Sequence, residues 1–322
     1  MFERSREQVI RYKKMNSQEL KKKIENKEGG YLFYGLTPPK ISTPVEKIDG
    51  ISQRQIERIK NLPIDGLVLY DIQDESSRTH LPRPFPFLHT WAPDEYANQY
   101  LQELNVPKII YKSVGKFTES SLKEWLVANE DTIDLTVFVG APSKQQQVNL
   151  SLQDAYKIKK ASNSTIKLGG VTIPERHFAK GDEHIRLSNK IGSGCTFFIS
   201  QCVYNLDNAK SFLSDYHYKT QEKNIAPAPI IFTLTPCGSV KTLEFTKWLG
   251  IDIPRWLEND LTSSEDILAK SIEVCKYIAK ELIKFAKEKN MPIGFNIESV
   301  AIRKAEIEAS IELVKSVKEM MI

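Results

Sequence analysis

A charged stretch, DIQDESSRT at 71–79, is followed at 83–87 by the proline-rich sequence RPFPF. The side chains that could pair into a ligand-positioning network are Asp71, Asp74, Glu75, Arg78 and Arg83. The alternative interpretation is a surface loop held by internal salt bridges. Because prolines restrict the backbone, this stretch is typical of a stiff, preformed rim beside a binding site.

Gln201 and His177 are two further candidates for contact with a ligand. Gln201 ends the apolar run TFFISQ at 196–201, where an amide is costly to bury without hydrogen-bond partners. A ligand could supply those partners, and a glutamine satisfied within the core is the alternative. His177 follows Glu175 and Arg176 in a segment that we expect to be a loop, where it could donate to a phosphate or a ring carbonyl. A solvated surface histidine is the alternative there.

Eight short apolar runs must position these residues, and each run precedes a polar turn and a helical pattern. They occupy 31–36, 66–71, 108–113, 134–140, 165–172, 196–201, 229–235 and 292–298. Their continuous hydrophobicity predicts parallel strands buried on both faces. Eight strand–helix units predict a single α/β domain, a (β/α)8 barrel with an extra N-terminal helix. An open doubly wound sheet is the alternative, but no GxGxxG motif follows any run.

A (β/α)8 barrel carries its chemistry just after the C-terminal ends of its strands. In this sequence those positions hold many polar residues, among them Thr37, Asp71, Gln201 and Glu298. A barrel that needed only stability would not require polar groups at one end of its apolar strands. The sequence therefore predicts a ligand pocket at that end.

The composition limits the remaining classes of function. Lys and Arg number 45 against 41 Asp and Glu, so neither a nucleic acid nor a membrane is an expected partner. We find no signal peptide and no apolar run near the roughly 20 residues of a membrane span, which indicates a cytoplasmic protein. The four cysteines lack CxxC spacing, so we expect buried thiols and no metal site.

Two regions are expected along the chain. Residues 1–28 are predicted to form a helical extension, and residues 29–322 are predicted to form the barrel. The extension and the long helical stretch at 264–289 could form an interface between copies of the chain, so a homo-oligomer is an expected partner state.

Five segments resemble the methylenetetrahydrofolate reductase family, in the same order and at comparable spacing. They are YGLTPPK at 34–40, VTIPERH at 171–177, GSGCTFFISQCVYN at 192–205, IDIPRWL at 251–257, and Arg303 with Ala305 and Glu306. The similarity spans about residues 30–310. It implies the same barrel fold and a role in one-carbon metabolism.

The resemblance also implies an activity, the reduction of 5,10-methylenetetrahydrofolate to 5-methyltetrahydrofolate with NAD(P)H, usually through bound FAD. The small-molecule partner would be a tetrahydrofolate derivative. The residues that the resemblance assigns to the folate are Gln201, Tyr204 and Thr37. Those that it assigns to the cofactor are Gly140, Tyr111, Glu175, His177 and Lys190.

The sequence departs from the family at several of these positions. The family's acid on the first strand falls on Gly35, and a glycine cannot act as a general acid. The Arg-Gly-Asp after the fourth strand appears as Val139-Gly140-Ala141. The histidine of the third strand falls on Tyr111, and the tyrosine before Pro-Glu falls on Ile173. Most direct contacts to a flavin are therefore replaced.

Glu298 is the candidate replacement for the missing acid. In a closed barrel the eighth strand lies beside the first, so Glu298 could project into the space left by Gly35, with a raised pKa. The alternative catalytic carboxylates are Asp71 and Glu75. Three functions remain open: a reductase with or without flavin, a folate-dependent methyl transfer or demethylation, and a non-catalytic folate-binding homologue.

Overall fold

Eight parallel strands close into a barrel in chain order, as the sequence predicts. The computed structural model describes residues 14–76, 79–141 and 146–322. The first strand pairs with both the second and the eighth, which rules out the open doubly wound sheet. In that closing pair Gly35 lies opposite Glu298.

The strands coincide with the eight apolar runs. They are β1 Tyr31–Leu36, β2 Gly66–Leu69, β3 Lys108–Ser113, β4 Leu135–Val139, β5 Lys167–Thr172, β6 Phe197–Cys202, β7 Ile230–Leu234 and β8 Ile293–Glu298. The helices are α1 Ser17–Glu25, α2 Val45–Ile59, α3 Pro93–Tyr100, α4 Glu119–Ala128, α5 Leu152–Ala161, α6 Pro174–Lys180, α7 Glu183–Gly192, α8 Leu206–Glu222, α9 Val240–Trp248, α10 Arg255–Ser263, α11 Ile267–Glu288 and α12 Lys304–Met321.

Side chains alternate between two cores along each strand. In β1, Tyr31 and Phe33 belong to the cluster inside the barrel, whereas Leu32 and Tyr34 pack in the larger cluster between strands and helices. Glycines make room for aromatic rings in the inner cluster. A Cβ on Gly169 would lie 2.4 Å from the ring of the buried Phe197. Small and large residues therefore fill the barrel interior jointly.

The N-terminal helix α1 closes the end of the barrel opposite the C-terminal strand ends. Asn16 caps it by accepting from the backbone N–H of Glu19, and the Glu19 carboxylate accepts from the backbone of Asn16. Leu20 and Ile24 are buried among the inner cluster of the barrel. The part of the predicted extension at residues 1–13 lies outside the described residues.

The segment after β5 is a helix, and our expectation of a loop was wrong. Pro174 is the first residue of α6, where its fixed φ suits a helix and its missing N–H costs nothing. Gly181 ends the helix in the left-handed region, at φ 65°. The helix has seven residues, too few to show a clear period in the sequence.

The loop that carries the DIQDESSRT and RPFPF stretches packs on α9 at the C-terminal end of the barrel. The Arg83 guanidinium lies 5.2 Å from the ring centroids of both Phe245 and Trp248. The Trp248 indole donates to the backbone oxygen of Leu81 at 3.0 Å. These contacts attach the loop to α9, and the stiffness that its prolines predict stays a prediction. Arg78 of the predicted charge network lies outside the described residues.

In the described part of the chain, every helix is too short or too polar to cross a membrane. The four cysteines are buried with free thiols, as expected.

Closure of the barrel depends on the absence of a side chain at Gly294 of β8. A Cβ at this position would lie 2.6 Å from both the Cβ and the backbone oxygen of Tyr31, and backbone cannot move aside cheaply. We expect Gly294→Ala to lower the free energy of unfolding by about 1–3 kcal/mol in urea denaturation. Gly192→Ala, at the end of α7 with open space around it, is the matched control and should cost nothing. Equal stability of both variants would contradict this account of closure.

Candidate functional site at the C-terminal ends of the strands

Six residues face the barrel interior near the C-terminal ends of the strands, and we call this group the mouth. They are Gly35, Tyr70, Tyr111, Val139, Val171 and Glu298. The mouth is mostly aromatic and aliphatic, with one carboxyl group. Such a surface suits a flat heterocycle that needs a single well-placed ionisable partner.

The carboxyl group of the mouth, on Glu298, stands beside the gap that Gly35 leaves. A Cβ on Gly35 would lie 3.1 Å from the Cβ of Glu298 and 2.9 Å from the phenol oxygen of Tyr70. The phenol of Tyr70, from the end of β2, therefore occupies much of the space that a side chain at position 35 would need. Gly35 is required at this position because two side chains from neighbouring strands fill its place.

Glu298 is the terminal member of a hydrogen-bonded chain across three strand ends. The Asn296 amide donates to the Tyr70 hydroxyl at 2.7 Å and to the Thr233 hydroxyl at 3.2 Å. The Tyr70 hydroxyl in turn interacts with the Glu298 carboxylate. Desolvation raises the pKa of Glu298 to about 7, against the smaller, opposing effect of the Tyr70 hydrogen bond. Near neutral pH this carboxyl can therefore both donate and accept a proton.

Tyr111 replaces the family histidine with a ring that supports Tyr70. The two ring centroids lie 4.8 Å apart in an edge-to-face arrangement. Burial raises the pKa of Tyr111 above its ordinary range, as it does for Tyr70, so neither phenol ionises near neutral pH. Both side chains are therefore neutral. Their rings supply apolar surface, and their hydroxyls can donate or accept hydrogen bonds.

The three residues assigned to the folate differ in their surroundings. Gln201 is partly buried at the end of β6, where the strand pairing is irregular, and its Nε2 donates to the backbone oxygen of Leu249 at 2.9 Å. Thr37 is exposed just beyond β1. Tyr204 is buried in the outer core, and its hydroxyl donates to the backbone oxygen of Thr235 at 2.7 Å. Gln201 and Thr37 are accessible, whereas Tyr204 serves the wall behind the mouth.

The exit of β5 holds a buried acidic group on helix α6. Glu175 is 9% exposed, and neither of its carboxyl oxygens has a hydrogen-bond partner on another described residue. Desolvation raises the pKa of Glu175 to about 8, with Asp252 and Glu183 adding to the effect. Glu183 is also buried, but its carboxylate is satisfied by Arg176 at 3.1 Å and by the backbone N–H of Ile173 at 3.0 Å.

Three residues assigned to a flavin, Lys190, Gly140 and His177, already make polar contacts with other residues of the protein. The ammonium of Lys190 donates to the backbone oxygen of Val171, and burial lowers the pKa of Lys190. Gly140 accepts from the side-chain amide of Gln73 at 3.2 Å. His177, 5% exposed, faces Asp215 on α8.

These contacts do not fit FAD. Lys190 and His177 are hydrogen-bonded to Val171 and Asp215, and a diphosphate would compete with these bonds. The buried Glu175 offers such an anion no counter-charge, and Ala141 lacks the carboxylate found in the family.

The alternative carboxylates, Asp71 and Glu75, have different positions in the loop after β2. Asp71 accepts from the backbone N–H of Ser113 at 2.8 Å and from the ammonium of Lys116 at 3.0 Å. It therefore ties the end of β2 to the end of β3. Glu75 lies near Arg83 in the same loop. The geometry favours Glu298 over this pair as the carboxyl of the mouth.

Sequence reasoning assigned no individual role to Tyr70, Asn296 and Thr233, which together position Glu298. Two of them could have been found from the alternation of strand residues. Residues two apart on a strand face the same side, so Tyr70 faces the barrel interior as Val68 does. For the same reason Asn296 faces the interior together with Glu298. Their mutual contacts depend on the register between strands, which no local pattern specifies.

Eight parallel strands closed into a barrel, with a carboxyl group of raised pKa at their C-terminal ends, define the chain as a (β/α)8 protein. A family model described as methylenetetrahydrofolate reductase matches residues 143–290. A solved structure from Clostridium thermocellum, an uncharacterized protein that binds two copies of 5-methyl-5,6,7,8-tetrahydrofolic acid, is 53% identical. It covers 93% of this chain and 99% of its own, with a TM-score of 0.83. The chain belongs to the methylenetetrahydrofolate reductase family.

Two further solved structures are much more distant. A 2,3-dimethylmalate lyase aligns with 92% of this chain and 94% of its own at 10% identity and a TM-score of 0.45. A dihydropteroate synthase from Thermus thermophilus aligns with 90% of this chain and 94% of its own at 12% identity and a TM-score of 0.44. No curated protein sequence matches this one.

The Tyr70 hydroxyl stabilises the ionised form of Glu298, so its removal should raise the pKa of Glu298 above about 7. We expect Tyr70→Phe to show this rise when carboxyl signals are followed by carbon-13 NMR across a pH titration. Glu298→Gln identifies the signal by removing it. Tyr277→Phe, at an exposed tyrosine on α11, is the matched control and should leave the titration unchanged. A lower pKa in Tyr70→Phe would show that the phenol does not donate to this carboxylate.

Proposed function

We propose that the mouth binds a reduced folate and that the protein reduces 5,10-methylenetetrahydrofolate to 5-methyltetrahydrofolate, with Glu298 as general acid. The hydride would come directly from NAD(P)H, a co-substrate. The observation that carries the proposal is the Glu298 carboxyl beside Gly35, with a pKa of about 7. It supplies an acid at the strand position next to the one that the family uses.

The reaction requires a proton and a hydride at different atoms of the folate. Glu298 would donate its proton to N10 as the bond between N10 and the bridging carbon breaks. The resulting iminium at N5 would accept hydride from the dihydronicotinamide at the bridging carbon, which becomes the methyl group. Methylenetetrahydrofolate, NAD(P)H and one proton give methyltetrahydrofolate and NAD(P)⁺, so charge and atoms balance. Solvent would reprotonate Glu298 between turnovers.

Residues around Glu298 would orient the ring and exclude water. The Nε2 bond from Gln201 to Leu249 fixes the plane of that amide, which would present its Oε1 acceptor to N–H groups of the pterin. Tyr70 and Tyr111 would form an aromatic wall on which the ring can pack. The Asn296–Tyr70 hydrogen bond would hold the acid in one orientation, which a reaction at a single nitrogen requires.

Methyl transfer from 5-methyltetrahydrofolate is the second candidate. It is favoured by the Clostridium thermocellum relative, which binds the methylated folate. Here Glu298 would protonate N5 as the methyl group leaves for a nucleophile such as a thiolate, and no NAD(P)H would be consumed. Oxidation of NAD(P)H that depends on methylenetetrahydrofolate supports the reductase. Loss of the methyl group from 5-methyltetrahydrofolate to a thiol supports transfer, and binding without either reaction indicates a folate-binding protein.

The contacts of Lys190, His177 and Gly140 lead us to expect a protein without bound flavin. The purified protein should lack the visible flavin absorption band, and it should not acquire one after incubation with FAD followed by desalting. NAD(P)H oxidation, if present, should be the same with and without added FAD. A yellow protein with near-stoichiometric flavin would show that these residues do accommodate FAD.

Replacement of Glu298 should separate binding from chemistry. We expect Glu298→Gln to lower kcat by about 10²–10⁴-fold, the usual contribution of a general acid, while the dissociation constant for 5-methyltetrahydrofolate changes little. In the wild type kcat/KM should fall as pH rises above about 7, because the acid form is lost, and the variant should lose this limb. Binding is measured by quenching of intrinsic fluorescence.

Glu312→Gln, on the surface of α12, is the control and should keep wild-type kcat and pH profile. Full activity of Glu298→Gln would exclude Glu298 as the acid. Wild-type protein that binds no folate would exclude the proposed function as a whole.

A further inference from the structure

Two histidines and an aspartate from three helices converge outside the barrel wall. His177 lies on α6, His184 on α7 and Asp215 on α8. One ligand-capable atom from each lies within 4.8 Å of the other two. This is the one group of its kind in the portions of the chain that the structure describes.

The three side chains leave hydrogen-bonding capacity unused in a buried place. The Nδ1 atoms of both His177 and His184 are buried without a partner among the described residues. His177 is 5% exposed, and its Nε2 is hydrogen-bonded to the Asp215 carboxylate at 3.0 Å. The two imidazole rings are nearly perpendicular, 5.3 Å apart. Buried polar atoms without partners are uncommon and often indicate a bound ion.

We propose that His177, His184 and Asp215 bind a divalent transition-metal ion of the zinc type. Two imidazole nitrogens and one carboxylate oxygen are the donor set that such ions prefer over Mg²⁺ or Ca²⁺. Donor atoms around a tetrahedral zinc ion lie roughly 3.3 Å apart, given bonds of about 2.0–2.1 Å. The present atoms, no more than 4.8 Å apart, reach that geometry by small side-chain rotations.

The arrangement leaves a route for the ion and a place for water. The Asp215 side chain is 56% exposed, so it opens to solvent, whereas His177 lies behind it against Phe212. Three protein donors leave a fourth position for a water molecule. The positive charge of nearby Lys219 disfavours a bound cation, and the negative charge of Asp182 favours one. The ion would tie α6 and α7 to α8, and α6 begins two residues after the end of β5.

The test uses the full-length protein, stripped of metal by a chelator and titrated with Zn²⁺ in competition with a chromophoric chelator. We expect one equivalent to bind and to raise Tm. Co²⁺ should give the visible bands of a low-symmetry nitrogen and oxygen site. His184→Gln and Asp215→Asn should each weaken Zn²⁺ binding at least about tenfold, because each removes a ligand. Both side chains are partly exposed, and Tm without metal checks that the variants fold.

His217→Gln is the matched control, since His217 lies on α8 outside the group and should leave the affinity unchanged. No binding by the wild type, or binding that neither His184→Gln nor Asp215→Asn weakens, would overturn the proposal. The titration contains no folate and no nicotinamide. Its outcome is therefore independent of the function proposed for the mouth.

Discussion

The pairing of β1 with β8 is the interaction on which the rest of the molecule depends. It converts a row of eight strand–helix units into a closed sheet with no free edge, and it collects the strand ends in one place. Gly294 lets β8 approach the backbone of Tyr31 without a steric clash. The same register sets Gly35 beside Glu298, so closure and the site share one geometric origin.

The character of the mouth follows from desolvation. Four neutral groups, the rings of Tyr70 and Tyr111 and the side chains of Asn296 and Thr233, are packed near one carboxyl group. They offer that carboxylate one stabilising hydroxyl and no cation. The pKa of Glu298 rises toward neutrality because the charged form loses water and gains little in return. A lysine or arginine at any of these positions would remove the property that makes the carboxyl useful as an acid.

The departures from the family form a consistent set. Gly35 removes an acid on β1, and Glu298 on the adjacent strand stands where a carboxyl group can take over. Two residues that the resemblance assigns to a flavin make hydrogen bonds within the protein. Lys190 donates to a strand carbonyl, and His177 pairs with Asp215 on α8. Gln201, which the resemblance assigns to the folate, remains partly exposed at the end of β6.

Local patterns in the sequence were sufficient to predict the eight strands and the order of the strand–helix units. They also predicted the end of the barrel at which polar residues gather. Continuous apolar runs and 3.6-residue periods are properties of neighbouring residues, so they can be read without the fold. The seven-residue α6 was missed because it spans barely two turns. Glu298 could be named as a candidate because a closed barrel requires β8 to lie beside β1, whatever the side chains are. Only the tertiary structure shows that Tyr70 fills the space above Gly35 and that the Tyr204 hydroxyl is bonded to the backbone of Thr235. It also brings His177, His184 and Asp215 together. Those contacts join residues from separate elements, and their distances depend on register and helix packing, which no local pattern encodes.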